Sequence, residues 1–296
     1  TESLRSSLLF GRQIVLRIGV LYKDESTTQM LFGSGFLITD RLVLTCAHNF
    51  DPIQWERKKV AFSKIYVCFL DPAPETYFLL NDSNNFLTEA KIVRRGLIED
   101  NMSNYDELES NTTDLALLEL EKPASHIQLN EFFDPKLNSS TQSTIIPTNS
   151  ELFLIGYNGK LTRDDDLKPY RYLKDFQHLT IDTLNYFHHV NNQSISIGHL
   201  IREPCRDNKY AMHDCSSLPG SSGALILDST GRFVGIHIGV ANSRSDKKRD
   251  FFFSKETFNK LIPVNSKPFR EFINQSIIPN MKHDEMVVQK WLFCSK

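Results

Sequence analysis

The fragment Leu218-Pro-Gly220-Ser221-Ser222-Gly223-Ala-Leu-Ile-Leu227 holds a serine in a Gly-x-Ser-Gly turn that feeds an apolar run. A serine hydroxyl is a weak nucleophile unless a base takes its proton. The two glycines suit such a turn. Gly220 allows its peptide to aim the N–H inward, and Gly223 removes a Cβ that would obstruct an approaching substrate. The N–H groups of Gly220 and Ser222 could then converge on a developing oxyanion. A suitable base stands at the end of Gly33-Ser-Gly-Phe-Leu-Ile-Thr-Asp-Arg-Leu-Val-Leu-Thr-Cys-Ala-His48, where two apolar strands lead into an imidazole. In Asn111-Thr-Thr-Asp114-Leu-Ala-Leu-Leu-Glu-Leu120 a carboxylate immediately precedes a strand. A buried anion there requires donors, and an imidazole N–H would serve while fixing the ring's tautomer. Taken singly, each fragment also fits a plainer role: a surface histidine, a turn aspartate, a Gly-Ser hairpin.

The surrounding elements must bring these groups together. In the first half, short β-branched and aromatic runs at Ile14 to Tyr22, Leu31 to Thr39, Leu42 to Thr45, Ile65 to Leu70, Ala90 to Arg94 and Leu115 to Leu120 read as strands of a barrel or sandwich. The polar stretches Asp71 to Asn85 and Glu99 to Thr113 read as long surface loops. A polar linker over 137–150 separates residues 1–136 from a second strand-rich unit over 151–262. Its runs are Leu152 to Tyr157, Ser194 to Ile201, Ala224 to Leu227, Phe233 to Val240 and Phe251 to Phe253. In the final segment, 263–296, Phe269, Phe272, Ile273 and Ile277 recur at helical spacing until Pro279, and Met286, Val287 and Trp291 suggest a second short helix.

In this order and context the chain resembles the trypsin/chymotrypsin-like serine peptidases over about residues 13 to 278. It is most similar to disulfide-poor branches of the HtrA and staphylococcal glutamyl endopeptidase types, with Gly33-Ser-Gly-Phe-Leu-Ile leading to the histidine. The resemblance implies an all-β fold of two six-stranded antiparallel β-barrels with a C-terminal helix. It also implies peptide-bond cleavage through an acyl-enzyme, with polypeptides as substrates and no cofactor. His48 would be general base and then acid, Asp114 its orienting carboxylate, Ser222 the nucleophile, and Gly220 and Ser222 the oxyanion hole.

Departures from the family pattern carry their own implications. Ser221 stands where digestive members place the aspartate that pairs with a newly cleaved N-terminal amine, so that ion pair cannot order the oxyanion loop. The usual Ile-Val-Gly-Gly start is also missing, residue 224 is Ala where Gly or Ser is usual, and Cys46 has no partner cysteine just after His48. Ser216 occupies the place of the aspartate that selects Lys or Arg, so basic P1 residues are disfavoured. By the same resemblance Ser216, Ser217, His237 and Gly239 would line the primary specificity pocket. His237 is similar to the histidine of glutamyl endopeptidases and picornaviral 3C peptidases, which ranks Glu or Gln first at P1 and an aromatic second. A histidine that merely packs in its strand is the competing reading of His237.

Composition narrows the remaining classes. In 296 residues, 40% hydrophobic and 24% charged with 21 Phe, the chain is long enough to bury about three quarters of its unfolded surface and is neither collagen-like, coiled-coil nor wholly disordered. With 34 basic against 36 acidic side chains there is no global field to draw nucleic acid or an anionic membrane. No apolar run is long enough for a membrane span. The first residues, Thr1-Glu2-Ser3, read as a trimmed start with room for upstream domains. Five dispersed cysteines favour a reducing, intracellular setting, although Cys205 and Cys215 could pair and six Asn-x-Ser/Thr sequons point towards secretion. Two other function classes are open to this sequence. One is a binding module on a peptidase fold whose oxyanion loop has collapsed. The other is a metal-dependent hydrolase using His188, His189, His199, Cys205, His213 and Cys215, which lack zincin or paired Cys-x-x-Cys spacing.

Overall fold

A computed structural model describes residues 2–25, 28–51, 53–55, 58–79, 87–96, 113–124, 146–162, 167, 178–202, 210–240 and 259–276. Twelve of its strands close into two barrels of six, every neighbouring pair antiparallel. The first holds β1 (Val15–Lys23), β2 (Thr28–Leu37), β3 (Leu42–Thr45), β6 (Phe62–Cys68), β7 (Leu87–Arg95) and β8 (Ala116–Leu120), in the order β1-β2-β3-β8-β7-β6. Between β3 and β6, β4 (Ile53–Trp55) and β5 (Lys58–Val60) form a separate two-stranded ribbon. The second barrel holds β9 (Glu151–Tyr157), β10 (Gln193–Arg202), β11 (Ala211–His213), β12 (Leu225–Asp228), β13 (Phe233–Val240) and β14 (Asn259–Pro263), in the order β10-β11-β14-β13-β12-β9. Closure pairs each of these twelve described strands on both sides, so neither barrel has an open edge.

The period of two along the strands decides which side chains fill which layer. On β9, Leu152 and Leu154 point into the interior of the second barrel beside Ile226, Val234 and Leu261. Phe153, Ile155 and Tyr157 alternate with them and join Leu225, Leu227 and the first-barrel residues in one continuous core. Phe233 links the two layers, edge-on to Phe36 at 5.5 Å and tilted against Phe269 at 5.9 Å.

Two helices brace this seam. The C-terminal helix over Lys267–Ser276 buries Phe269, Phe272 and Ile273, as the spacing of its aromatics predicts. The helix over Glu2–Ile14 has no counterpart in the strand reading of the first half. It crosses to the second barrel so closely that a Cβ on Gly11 would lie 2.5 Å from Ile155 Cδ1. Its Arg12 bonds Asp71 and Gln193, one from each half of the chain. Short helices over Glu75–Leu79 and Ile181–Phe187 were not anticipated from periodicity, since neither is long enough to show one. The first of them falls within the Asp71 to Asn85 stretch read as loop. Strands β4, β5, β11 and β14 are likewise additions of three to five residues. The expected strand at Phe251 to Phe253, the helix around Met286 to Trp291, most of the 137–150 linker, and Cys205 and Cys294 lie outside the described residues. Among those described, Cys46, Cys68 and Cys215 are free and buried, so Cys215 is not held in a disulfide. No described helix is long and apolar enough to cross a membrane.

Candidate active site

Register in the first barrel brings two of the three fragments together. Thr45 on β3 pairs with Ala116 on β8, which places the chain just after β3 beside the chain just before β8. His48 sits in a 3-10 turn, Ala47–Phe50, immediately past β3, and Asp114 sits just before β8. Asp114 grips the histidine twice. One carboxylate oxygen accepts the backbone N–H of His48 at 2.9 Å, and the other accepts the ring Nδ1–H at 2.7 Å. A carboxylate can only accept, so the proton resides on Nδ1 and leaves Nε2 as the basic nitrogen.

The second barrel supplies the Gly-Ser turn, and hydrogen bonds fix the orientation of its peptides. The carbonyl of Pro219 accepts from Gly159 N–H at 2.6 Å, and that of Ser221 accepts from Ala224 N–H at 2.9 Å. In a trans peptide the N–H points opposite to the C=O, so both bonds turn the following N–H groups, those of Gly220 and Ser222, the other way. Neither has an acceptor among the described residues. The N–H groups of Ser221, Gly223 and Ala224 are bonded to Leu218, His237 and Ser221 carbonyls. Left-handed backbone is required at Gly220 (φ 97°) and Gly223 (φ 93°). A Cβ at Gly223 would also stand 2.0 Å from the carbonyl oxygen of Ser34.

Contacts between the barrels hold Ser222 against the histidine turn. Its carbonyl accepts from Ser34 N–H at 2.9 Å and from the side chain of Asn49, the residue after His48, at 3.3 Å. The described hydrogen bonds of the His48 ring go to Asp114, and no Ser222–His48 hydrogen bond is among them. Such bonds often tighten only when substrate is bound. Ser222 Oγ lies 3.9 Å from the point where a Cβ on Gly239 would be.

Of the residues expected to line the pocket, Ser216 is exposed, Ser217 and Gly239 are partly open and His237 is buried. His237 stands beside His213, with His213 Nε2 3.1 Å from His237 Nδ1. Cys215 N–H donates to His213 Nδ1 at 3.2 Å, so a neutral His213 carries its proton on Nε2 and donates it to His237 Nδ1. His237 then holds its own proton on Nε2. Burial holds both rings neutral. It lowers His213 to about 4, and it pushes His237 well below the ordinary range with help from His213 and His48. Cys46, beside this arrangement, is raised by burial and by Asp114, and its thiol donates to the His237 carbonyl at 3.3 Å.

Among the described residues, the group whose atoms could meet one metal ion is Cys46, His48 and Asp114, all within 4.8 Å of one another. This differs from the cluster weighed from sequence, of which His213 is already committed to His237. The thiol is protonated and hydrogen-bonded, and the carboxylate is occupied by the histidine, so these atoms fit the proton geometry already described.

Sequence reasoning did not single out Ser34 or Asn49, and it named His213 only as a possible metal ligand. Gly33 was the available signal for Asn49, since a Cβ there would meet the Asn49 side chain at 2.6 Å.

Two closed six-stranded barrels, with a histidine and aspartate on one and a Gly-Ser turn on the other, define the peptidase two-barrel class. The family description "Trypsin-like peptidase domain" matches residues 33–236, and the chain belongs to that family. Comparison with curated proteins returned no match.

Proposed function

We propose that this chain is a serine endopeptidase in which Ser222 attacks the scissile carbonyl, His48 serves as base and then acid, and Asp114 orients it. The reading is supported above all by the two N–H groups that flank Ser221 without acceptors among the described residues, next to the Ser222 hydroxyl. A collapsed, purely binding version of the fold would direct a carbonyl into that space. In the proposed reaction His48 Nε2 takes the Ser222 proton as Oγ bonds to the carbonyl carbon, and the oxyanion accepts from Gly220 and Ser222 N–H. The imidazolium then protonates the leaving amine, and water repeats the sequence on the acyl-enzyme. Asp114 stabilises the imidazolium through the Nδ1–H bond.

At P1 we favour Glu or Gln, then an aromatic, over Lys or Arg. A neutral His237 offers an N–H donor, which suits a carboxamide or carboxylate oxygen, and Ser216 offers no anion to a basic side chain. Ser217 and Gly239 complete the proposed pocket. Trapping with a nitrophenyl ester at mildly acidic pH should add one acyl mass, mapped to the peptide containing Ser222. An adduct that persists in Ser222→Ala, or none in the wild type, refutes the reading.

A further inference from the structure

The family's ordering ion pair cannot form here because Ser221 stands at its anionic position, yet each peptide from 219 to 223 has a fixed orientation. Besides the two bonds to the Ser222 carbonyl, the Ser34 hydroxyl also connects this loop to the first barrel. Ser34 lies on β2 opposite Arg17, and no part of it reaches solvent. Its Oγ accepts Tyr157 N–H at 2.9 Å, and of the two carbonyls in reach of its single proton that of Gly220 is the nearer, at 2.9 Å against 3.3 Å for that of Tyr157. Tyr157 is itself a fixed post, since its phenol donates to the Leu70 carbonyl at 2.8 Å. Holding the Gly220 carbonyl inward fixes the Gly220–Ser221 peptide. The Ser221 N–H then points to Leu218, which it meets at 3.1 Å. With that plane set and Pro219 bound to Gly159, the intervening φ and ψ of Gly220 have little freedom left. Glycine at a left-handed φ would otherwise turn readily.

We infer that Ser34 is a positioning residue which locks the oxyanion loop across the barrel interface, in place of a charge pair released by cleavage. The inference rests on Ser222 being the nucleophile. It implies a loop that is competent as folded and needs no newly exposed amine.

The test uses a fluorophosphonate probe on the whole chain, wild type beside Ser34→Ala, Ser34→Cys and Ser222→Ala, following both the labelling rate and the final labelled fraction. A phosphonyl oxygen must enter the same space as the oxyanion, so the rate reports loop geometry, while the final fraction reports how much protein is folded. Ser34→Ala should label roughly 10- to 100-fold more slowly and still reach full labelling, somewhat less than removal of an oxyanion donor itself. Ser34→Cys keeps the volume with a weaker donor and should fall between, and it carries the test if the alanine variant does not fold. A variant that labels at the wild-type rate overturns the inference, as does a loss confined to the final fraction. Equal labelling of Ser222→Ala, or silence of the wild type, removes the nucleophile and the inference with it. Wild-type labelling at Ser222 with an unaffected Ser34→Ala removes the inference alone.

Discussion

His213 and His237 meet ring to ring, with 3.1 Å between Nε2 of the first and Nδ1 of the second, and Cys215 N–H sets the direction of the proton between them. Replacing His213 by Leu removes the donor that selects the His237 tautomer. Profiling cleavage with a peptide library should show Glu and Gln ahead of aromatics in the wild type. That margin should shrink about tenfold in His213→Leu, the scale of one hydrogen bond to substrate. Dominant Lys or Arg would contradict the proposed pocket.

The same pair makes folding sensitive to acid. In the folded chain His213 titrates at about 4, below its ordinary 6.5, because burial disfavours the cation. Between those values the unfolded chain binds the extra proton, so this contribution to stability is complete above about 6.5 and declines as pH falls towards 4. The full loss from His213 is on the order of 3 kcal/mol, and His237 acts in the same direction. Thermal melts from neutral pH to about 4.5 should show Tm falling more steeply in the wild type than in His213→Phe. Equal slopes would exclude His213 as a cause.

Asp114→Asn keeps the size of the side chain but can present an N–H to Nδ1 and reverse the tautomer. Turnover should drop roughly 10⁴-fold while the far-UV spectrum stays unchanged. A loss below tenfold would mean that the double grip on His48 is structural only.

Gly223→Ala would force a side chain into left-handed backbone and against the Ser34 carbonyl. Fluorophosphonate labelling should fall by more than about a hundredfold, because both the turn and the inter-barrel contact must shift. Wild-type labelling would show that the turn has another conformation to use.

Cys46, Cys68 and Cys215 are buried, and burial raises all three thiols, Cys215 to about 12. The thiolate is the reactive form. Iodoacetamide followed by peptide mapping should leave these three unmodified in the native protein and alkylate them in denaturant. Native alkylation of Cys46 would show that the site opens.

The barrels and the residues of the candidate site stand out in the sequence for separate reasons. Strands such as Leu42–Thr45 and Glu151–Tyr157 carry apolar runs, and His48, Asp114 and Ser222 adjoin such runs. The helix over Glu2–Ile14 was hidden because Leu4, Leu8 and Gly11 mark only a narrow face without naming the surface that covers it. Strands of three residues such as Ala211–His213 are too short for any period to register. The roles of Ser34 and of His213, which the sequence offered only as a metal ligand, were illegible for a different reason. Their roles depend on contacts with Gly220 and His237, which are far away along the chain and adjacent only once the barrels close.

The proposed chemistry depends on one hydroxyl, and covalent labelling of that hydroxyl tests it most directly. A fluorophosphonate should modify the wild type at Ser222, with EDTA without effect, and should leave Ser222→Ala and His48→Ala unmodified. Equal modification of wild type and Ser222→Ala, or its absence from the wild type, would contradict the account.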